Sequence, residues 1–392
     1  MLQGLEPHAG DLGRAARAEP LGVYLHIPFC LDRCAYCSFV STREAGLRRP
    51  VLERLQDDLN AWGERLGHPA IDTLYLGGGT PSVLSAEELA ALTGAVRKAF
   101  DASSLLEATL EANPGTVAPP WLREARRLGW DRISLGVQAL DDVLLRRLGR
   151  IHDAAEGLAA VRRAGEAGFR RISADLMIGI PGQDLSRVLA DAGELVAAGA
   201  NHLSVYMLDL DKDCPLKAQV DRGELAMPSE DEVADLFEAL QERLPELGLA
   251  AYEISNASAP GEASRHNLRY WERRPYLGLG PSAASQLGRW RWTECGSIRD
   301  WLAGRGTAEI QELDPAAELA EIPLLGLRML RGVDWPALRA RAAELALLPL
   351  VDQWESRLSP FFGYGLLERI GPFLRFTRKG LLLSNRVLEI FV

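Results

Sequence analysis

Three cysteines, Cys30, Cys34 and Cys37, lie within eight residues in the segment YLHIPFCLDRCAYCSF. Three thiolates at C-x3-C-x2-C spacing in one short loop can bind three irons of an iron–sulfur cube, which usually takes four cysteine ligands. The remaining cysteines, Cys214 and Cys295, are far along the chain. We therefore expect one iron that lacks a protein thiolate and is open to an exogenous ligand. The alternative is a zinc site with a distant fourth ligand, although zinc ligands come more often as separated C-x2-C pairs.

A glycine-rich segment, YLGGGTPS, ends the second β-rich run and contains Gly78, Gly79 and Thr80. Glycines let the backbone approach a ligand closely, and the exposed N–H groups suit a carboxylate or an amino-acid moiety. A triple glycine alone is weak evidence, because in most proteins it forms a plain turn. Its position one strand–helix unit after the cysteine loop favours a binding role.

Polar residues also stand at the ends of later β-rich runs: Glu111 in LEANP, Gln138 in SLGVQAL and Asp175 in ADLMIGIPGQ, with Arg150 after a helical stretch in LGRIHD. A buried carboxylate costs several kcal/mol unless it is paired or hydrogen-bonded, so Glu111 and Asp175 require donors such as ligand hydroxyls or Arg150. The alternative is a structural ion-pair network inside the protein. Their shared location with the cysteines favours ligand contact.

The elements that would position these side chains alternate between strands and helices. The β-rich runs cover residues 22–27, 71–76, 106–111, 132–137, 170–178 and 202–208. The helical patterns cover residues 50–65, 86–100, 120–128, 141–148, 154–167, 185–198 and 230–244. Such alternation predicts a parallel sheet with right-handed crossovers, and six units in series predict an open, partial (β/α) barrel of the α/β class. Chemistry in such barrels lies on the loops after the strands.

Four regions are expected: a flexible tail over residues 1–20, the barrel over 21–250, an irregular linker over 251–313, and a C-terminal mostly helical unit over 314–392. In the last region a short hairpin around residues 372–377, followed by a helix, predicts a winged-helix-like unit. Ser85 with Glu88 matches a capping box, and Gly129 is placed to end a helix.

Composition and charge exclude several classes of protein. The 392 residues are 47% apolar and 25% charged, which is typical of a globular chain, and no apolar run is long enough to cross a bilayer. The first twenty residues lack the apolar region of a secretory signal, so a cytoplasmic location is the default expectation. The net charge of −10 argues against a nucleic-acid partner.

The cysteine spacing after the first strand resembles that of the radical S-adenosylmethionine (SAM) superfamily. The resemblance implies a partial (β/α)6 barrel, a [4Fe-4S] cluster held by Cys30, Cys34 and Cys37, and SAM bound to the open iron. In that superfamily, reduction cleaves the sulfonium of SAM and releases a 5′-deoxyadenosyl radical. The GGGTP segment is similar to the coproporphyrinogen-dehydrogenase-like branch.

The resemblance to coproporphyrinogen III dehydrogenase also implies site residues. Those that match positions around a first SAM are Tyr24, Gly78 and Glu111. Those that match positions around a second SAM are Tyr36, Gly79, Thr80, Gln138, Arg150 and Asp175. The resemblance does not establish whether a second SAM binds.

Two departures favour the HemW haem-chaperone branch of that family. The dehydrogenases have a fourth cysteine two residues after the third, where this chain has Phe39, and they have a longer N-terminal segment. The segments HIPFC-x3-C-x-YC-x-F, YEISN, HNLRYW, YLGLGP, LGLR and GLLLSN also resemble HemW, so the resemblance covers residues 21–392.

The HNLRYW segment offers groups that suit haem. A neutral imidazole is a common axial ligand, so His266 is the residue we expect at the iron; Tyr270 and Trp271 offer flat apolar area, and Arg265 and Arg269 could pair with propionates. The alternative is that His266 and Asn267 brace the chain while Trp271 lies in a core. The family's HNxxYW motif, which is linked to haem binding, favours the first interpretation.

The expected function is therefore that of a haem chaperone of the radical SAM type, which binds haem and passes it to acceptor haemoproteins. The expected partners are haem, those acceptors and an electron donor such as a flavodoxin or ferredoxin, with membrane contact only through acceptors. The alternative is oxygen-independent oxidative decarboxylation of coproporphyrinogen III, an enzymatic activity. Beyond the cluster and SAM, no catalytic residue is predicted.

Overall fold

Six parallel strands, each followed by a helix, form the centre of the protein. The computed structural model describes residues 8–210, 214–305 and 309–392. The strands are β1 (Leu21–Ile27), β2 (Ile71–Gly78), β3 (Glu107–Ala112), β4 (Arg132–Gln138), β5 (Arg171–Ile178) and β6 (His202–Met207). They pair in chain order with parallel register, which confirms the predicted α/β fold with a partial (β/α)6 barrel.

Helices cover the outer face of this sheet. Those up to residue 243 are α1 (Ala9–Ala18), α2 (Arg48–Leu66), α3 (Ala86–Ala99), α4 (Pro119–Arg127), α5 (Asp142–Arg147), α6 (Ala154–Glu166), α7 (Leu185–Ala197), α8 (Pro215–Asp221) and α9 (Glu230–Arg243). The predicted capping box is present at the start of α3, where the Ser85 hydroxyl accepts the Glu88 N–H. Gly129 follows α4 with φ +97°, the left-handed conformation that favours glycine at a helix end.

The barrel is open, because β1 and β6 pair with later strands rather than with each other. The elements that follow α9 are β7 (Ala250–Ala251), β8 (Asn256–Ser258), α10 (Arg265–Trp271), β9 (Tyr276–Leu279), β10 (Ala284–Leu287), β11 (Trp290–Thr293), α11 (Ile298–Leu302) and β12 (Glu309–Glu312). Strand β9 adds to β1 in parallel, and β8 adds to β6 antiparallel.

Residues 251–313 therefore differ from the expected irregular linker, since they extend the sheet on both sides. Their strands have only two to four residues, so no alternation of apolar and polar residues marks them in the sequence. They are specified by pairing with β1 and β6, which a local pattern does not reveal.

Residues 9–18 also differ from the expected flexible tail, because they form α1 with Leu12 and Ala16 buried. The buried face is made of one leucine and small residues, which gives little hydrophobic contrast along the sequence. Arg17 ties this helix to α2 by donating to the carbonyl of Leu66 at 2.9 Å.

A C-terminal helical region has a second hydrophobic core of its own. Its elements are α12 (Pro315–Gly326), β13 (Val333–Asp334), α13 (Trp335–Glu344), α14 (Leu348–Gly363), β14 (Leu367–Ile370), β15 (Phe373–Phe376), α15 (Arg378–Leu382) and α16 (Ser384–Leu388). The three strands form one sheet in the order β13-β15-β14. The hairpin starts earlier than the expected residues 372–377, with Gly371 at its turn.

Among the described residues, no helix combines the length and the apolar character needed to cross a membrane.

Candidate functional site

A pocket of about 360 Å³ opens at the carboxyl ends of the barrel strands. Eleven of the thirteen residues predicted for the site line it: Cys30, Cys34, Tyr36, Cys37, Gly78, Gly79, Thr80, Glu111, Gln138, Arg150 and Asp175. The loops after parallel strands lie at the same edge of the sheet, so residues from six separate segments meet in one cavity.

The cysteine loop forms one wall of this pocket. Cys30, Cys34 and Cys37 are partly buried, and each lines the cavity. Arg150 donates to Cys34 Sγ at 3.2 Å, and the Thr80 hydroxyl donates to Cys30 Sγ at 3.4 Å. Burial raises the pKa of the Cys30 and Cys37 thiols, so ligation of iron must offset the cost of forming these thiolates.

The described residues include no other thiol at the pocket. Cys214 begins helix α8, where its sulfur accepts the Lys217 N–H at 3.5 Å, and Cys295 donates to the carbonyl of Ser297 at 3.8 Å. Nor do any three His, Cys, Asp or Glu side chains, among those described, gather tightly enough to hold a single metal ion. Three thiols distributed along one loop are a donor set that can bind three separate irons of a cube.

The glycine segment and Glu111 form a second wall. The Gly78 N–H donates to Glu111 Oε2 at 2.9 Å, and the Tyr75 hydroxyl donates to Oε1 at 2.8 Å. Gly78 has φ +108°, and a Cβ there would lie 2.6 Å from the His26 ring, so only glycine fits. Burial raises the pKa of Glu111 to about 7, against the effect of those two hydrogen bonds.

Asp175 lines the same pocket as Glu111. The Ser134 hydroxyl donates to Asp175 Oδ1 at 3.1 Å. Burial raises the pKa of Asp175 to about 6, while hydrogen bonds from Ser134 and Ser204 and the charge of Arg150 act in the opposite direction. Two carboxyl groups with raised pKa values in one pocket are typical of a site that binds a charged ligand.

Gln138 has an unusual backbone and an unsatisfied side chain. Its φ is +71°, which costs a residue with a Cβ of order 1–3 kcal/mol. Its Oε1 atom is buried and has no hydrogen-bond partner among the described residues, as is also true of Arg150 Nε. Both residues line the pocket, so an acceptor and a donor without partners lie at its wall, as is typical of a site that binds a polar ligand.

Arg150 organises the centre of the pocket. Besides Cys34, its guanidinium contacts the carbonyl of Gly136 and the side-chain oxygen of Asn113. The amide of Asn113 in turn donates to Thr80 Oγ1 at 3.1 Å. This network joins the cysteine loop, the glycine segment and the end of β3.

Two predicted residues, Tyr24 and His266, do not line the pocket. The Tyr24 hydroxyl is hydrogen-bonded to His26 Nδ1 at 3.1 Å, and its ring centroid lies 5.9 Å from that of Tyr75. Tyr24 therefore supports the wall that carries Glu111 from behind. Burial raises its pKa well above the ordinary value, so it stays neutral.

His266 lies in the packed interior, where only 1% of its surface is exposed. Its Nδ1 is bonded to Thr73 Oγ1 at 2.9 Å and its Nε2 to the Tyr270 hydroxyl at 2.8 Å. Burial lowers its pKa to about 3, so the ring is neutral. In this structure both ring nitrogens of His266 are hydrogen-bonded and the ring has almost no exposed surface, so its haem-ligand role stays a prediction that this arrangement does not favour.

Arg269 likewise does not face a ligand, because its side chain is fully buried in an ion pair with Asp72. The helix that carries both residues closes the amino-terminal end of the barrel: the backbone N–H groups of Arg265 and His266 donate to Glu107 at 2.9 and 3.0 Å. The bracing role weighed as the alternative for this segment describes it better.

Sequence reasoning missed Asn113, Tyr75 and Ser134. Asn113 comes two residues after Glu111, directly after β3, so its polar side chain at a strand end was an available signal. Tyr75 and Ser134 lie inside strands, where only the barrel curvature shows that they face the interior.

The chain matches two known protein families. The radical SAM superfamily matches residues 24–195, and the HemN C-terminal domain matches residues 313–383. The described pocket draws its cysteine, glycine, Glu111, Gln138, Arg150 and Asp175 residues from the first of these ranges.

Several full-length relatives carry one name. The chain is 35% identical to the heme chaperone HemW of Mycobacterium tuberculosis, over 99% of this chain and 97% of that protein. It is 32% identical to HemW of Lactococcus lactis, over 95% and 98%. It is 30% identical to HemW of Escherichia coli, over 96% and 99%.

Among solved structures, coproporphyrinogen III oxidase (HemN) from Escherichia coli, described as a radical SAM enzyme, superposes with a TM-score of 0.83. The match covers 98% of this chain and 92% of HemN at 20% identity. At that identity the likeness establishes the shared fold.

Proposed function

We propose, from the premise that this chain belongs to the HemW family of the radical SAM superfamily, that it is a haem chaperone. In this proposal it binds haem and transfers it to acceptor haemoproteins, using a [4Fe-4S] cluster and SAM. The observation that carries the proposal is the family relationship over nearly the whole chain together with a pocket that has three thiols.

The cluster would be held by Cys30, Cys34 and Cys37. Their shared loop, their position at the pocket wall and the lack of a further thiol there among the described residues support a cube with one open iron. When bound, the cluster supplies an electron to the sulfonium of SAM. The protein's part is to place SAM and keep water away from it.

The residues proposed to place SAM are Gly78, Gly79, Thr80 and Glu111, with Tyr24 as support behind the wall. The ionised Glu111 side chain would accept hydrogen bonds from the amino group of SAM. Tyr36, Gln138, Arg150 and Asp175 line the rest of the pocket, and the unsatisfied atoms of Gln138 and Arg150 support contact with a polar ligand, including a second SAM.

We predict that SAM affinity falls as pH falls through the pKa of Glu111, about 7. SAM binding favours the ionised form, so each pH unit below that pKa should weaken binding by up to about tenfold. In the absence of SAM, a fall in pH has a different and favourable effect: it stabilises the folded protein. The raised pKa means that the contribution of Glu111 to stability is present below the ordinary value of 4.5 and is lost as pH rises to about 7.

Isothermal titration of the anaerobic, reconstituted protein with SAM at several pH values measures this dependence. The Glu111→Gln variant serves as the control, because its side chain keeps the shape and does not titrate. It should bind SAM more weakly and with a flat pH profile. A wild-type profile as flat as that of the variant would contradict the assignment.

Partners and location are part of the same proposal. They are haem, acceptor haemoproteins, an electron donor such as a flavodoxin or ferredoxin, and a cytoplasmic setting. The net charge of −10 argues against a nucleic-acid partner.

The test combines haem titration, followed by the Soret band, with transfer of bound haem to an apo-haemoprotein. Saturable binding and transfer that depends on reduction and SAM are expected. Conversion of coproporphyrinogen III by the same reconstituted sample would contradict the chaperone assignment and support the decarboxylase alternative. The exposed Phe39, in place of a fourth cysteine, favours the chaperone.

A further inference from the structure

A second cavity, of about 430 Å³, lies between the end of α10 and the C-terminal helical region. We call it the interdomain cleft. Its lining residues come from α10 and the residues after it, α12, the segment 329–334, α13 and β15: Trp271, Glu272, Arg273, Ile322, Gly326, Met329, Arg331, Gly332, Val333, Asp334, Ala337, Leu338, Arg341 and Phe373. None of these residues lines the cluster pocket, so the cleft is separate from it.

The floor of the interdomain cleft is apolar and includes one aromatic wall. Ile322, Val333, Leu338 and Phe373 present aliphatic and aromatic surface, and the Trp271 indole adds a flat face. Pockets of this size with a mostly apolar lining and a few polar groups are typical small-molecule sites. A planar apolar ring system fits such a floor.

The Trp271 side chain has an unsatisfied donor. Its Nε1 atom is buried and has no hydrogen-bond partner among the described residues. A buried N–H without a partner costs about 1–3 kcal/mol, and this one belongs to a residue that lines the cleft. Arg328 lies over the same indole, 5.5 Å from the ring centroid, and holds its orientation.

The rim of the interdomain cleft carries arginines whose ion pairs are largely exposed. Arg331 is 59% exposed and pairs with Glu272 at 2.9 Å, while Arg341 is 44% exposed and pairs with Glu344 at 2.9 Å and, more distantly, with Glu318 at 3.6 Å. Exposed pairs of this kind contribute about 0–1 kcal/mol, so exchanging a glutamate for a ligand carboxylate costs little. Two rim guanidinium groups match a ligand with two carboxylates.

Met329 is the lining residue with an atom that commonly binds haem iron. No histidine, cysteine or tyrosine is among the lining residues, and the side chain of Met329 is buried at the floor. A thioether is a recognised haem ligand, and without a second strong ligand the iron is held less firmly than by two. That suits a protein that must release its haem.

We propose that the interdomain cleft, rather than His266, holds haem: the porphyrin packs on the Trp271 wall and apolar floor, Met329 ligates the iron, and Arg331 and Arg341 bind the propionates. This assignment rests on the proposed chaperone function and locates its cargo. Haem then lies beside the helix that closes the barrel, apart from the cluster pocket.

The first experiment tests this location by filling the interdomain cleft with a bulky side chain. Ala337 lies on α13, is exposed and lines the cleft, so Ala337→Trp places a bulky ring in the cavity without disturbing a core. Ala343→Trp, at an exposed position of the same helix that does not line the cleft, is the matched control. Haem affinity is measured by Soret titration of the full chain, and iron content and SAM cleavage report that the cluster pocket is intact.

We expect Ala337→Trp to weaken haem binding at least about tenfold, a change of about 1.4 kcal/mol, with Ala343→Trp unchanged. Equal affinity in the wild type and in Ala337→Trp would overturn the location while leaving the chaperone function standing. Absence of saturable haem binding by the wild type itself would overturn both.

Two further variants test the named contacts. Arg331→Gln with Arg341→Gln should weaken haem binding about tenfold and reduce its dependence on salt. Met329→Leu keeps volume and removes the sulfur, so haem should still bind but with a shifted Soret maximum. An unchanged spectrum would overturn the ligand assignment of Met329.

Discussion

A Cys34→Ala variant is expected to fold and yet to lose the iron–sulfur cluster. Cys34 is the second of the three cysteines in sequence, and its Sγ accepts a hydrogen bond from the Arg150 guanidinium at 3.2 Å. Removing a direct ligand should lower cluster affinity by more than about 100-fold, since loss of an outer partner alone costs roughly 10- to 100-fold. Iron and sulfide analysis after anaerobic reconstitution measures the loss, together with the absorbance of the cluster.

The matched control is Cys214→Ala. Cys214 is also partly buried, but it does not line the pocket, so the variant should keep the iron content of the wild type. If the two variants lost iron equally, Cys214 would be a fourth ligand and the iron predicted to be open would not exist. If neither lost iron, the metal would lie elsewhere.

An Arg269→Met variant is expected to lose about 3–5 kcal/mol of stability, the cost of breaking a buried ion pair by removing one partner. The Arg269 side chain is fully buried, pairs with Asp72, and donates to the carbonyls of Pro20 and Pro275 at 3.0 and 2.9 Å. It therefore joins β2 to the residues that precede β1 and β9. Methionine fills a similar volume but leaves Asp72 with Arg274 alone.

Urea denaturation, followed by circular dichroism, measures this effect. Arg265→Met is the control on the same helix, because Arg265 is exposed and its described hydrogen bond to Glu107 comes from the backbone. The control should stay within about 0.5 kcal/mol of the wild type. A small effect at Arg269 as well would mean that α10 does not close the barrel in solution.

The barrel was predictable from local pattern because the strands are buried on both faces over most of their length and the helices have one apolar face. All six predicted strands are present, with ends that differ by two residues or fewer, as at β2, which continues through Gly78. Capping residues such as Ser85 and Gly129 act on residues close to them in sequence, so the boundaries of their helices were also predictable.

The site was predictable to the extent that it depends on strand ends. Glu111 and Asp175 are carboxylates at strand positions where a buried core would have apolar residues. The parallel topology then brings them into one pocket. The partners of His266 were not predictable, because Thr73 and Glu107 lie about 190 and 160 residues away in sequence. Its burial follows from packing across the barrel end, which no local pattern encodes.

The HNLRYW motif spans two different environments in the fold. Within HNLRYW, His266 and Arg269 face the barrel interior, whereas Trp271 lines the interdomain cleft. Residues on adjacent turns of one short helix therefore lie in two different environments, and the sequence alone does not show which residue lies in which.

The proposed function depends on a cube that is held by three protein thiolates and has one iron that binds SAM. Electron paramagnetic resonance of the anaerobically reconstituted and reduced protein, recorded without and with SAM, tests it most directly. We expect about four irons per chain and a cluster signal that changes when SAM is added. A sample that contains a single zinc ion, or a cluster signal that SAM leaves unchanged, would contradict it.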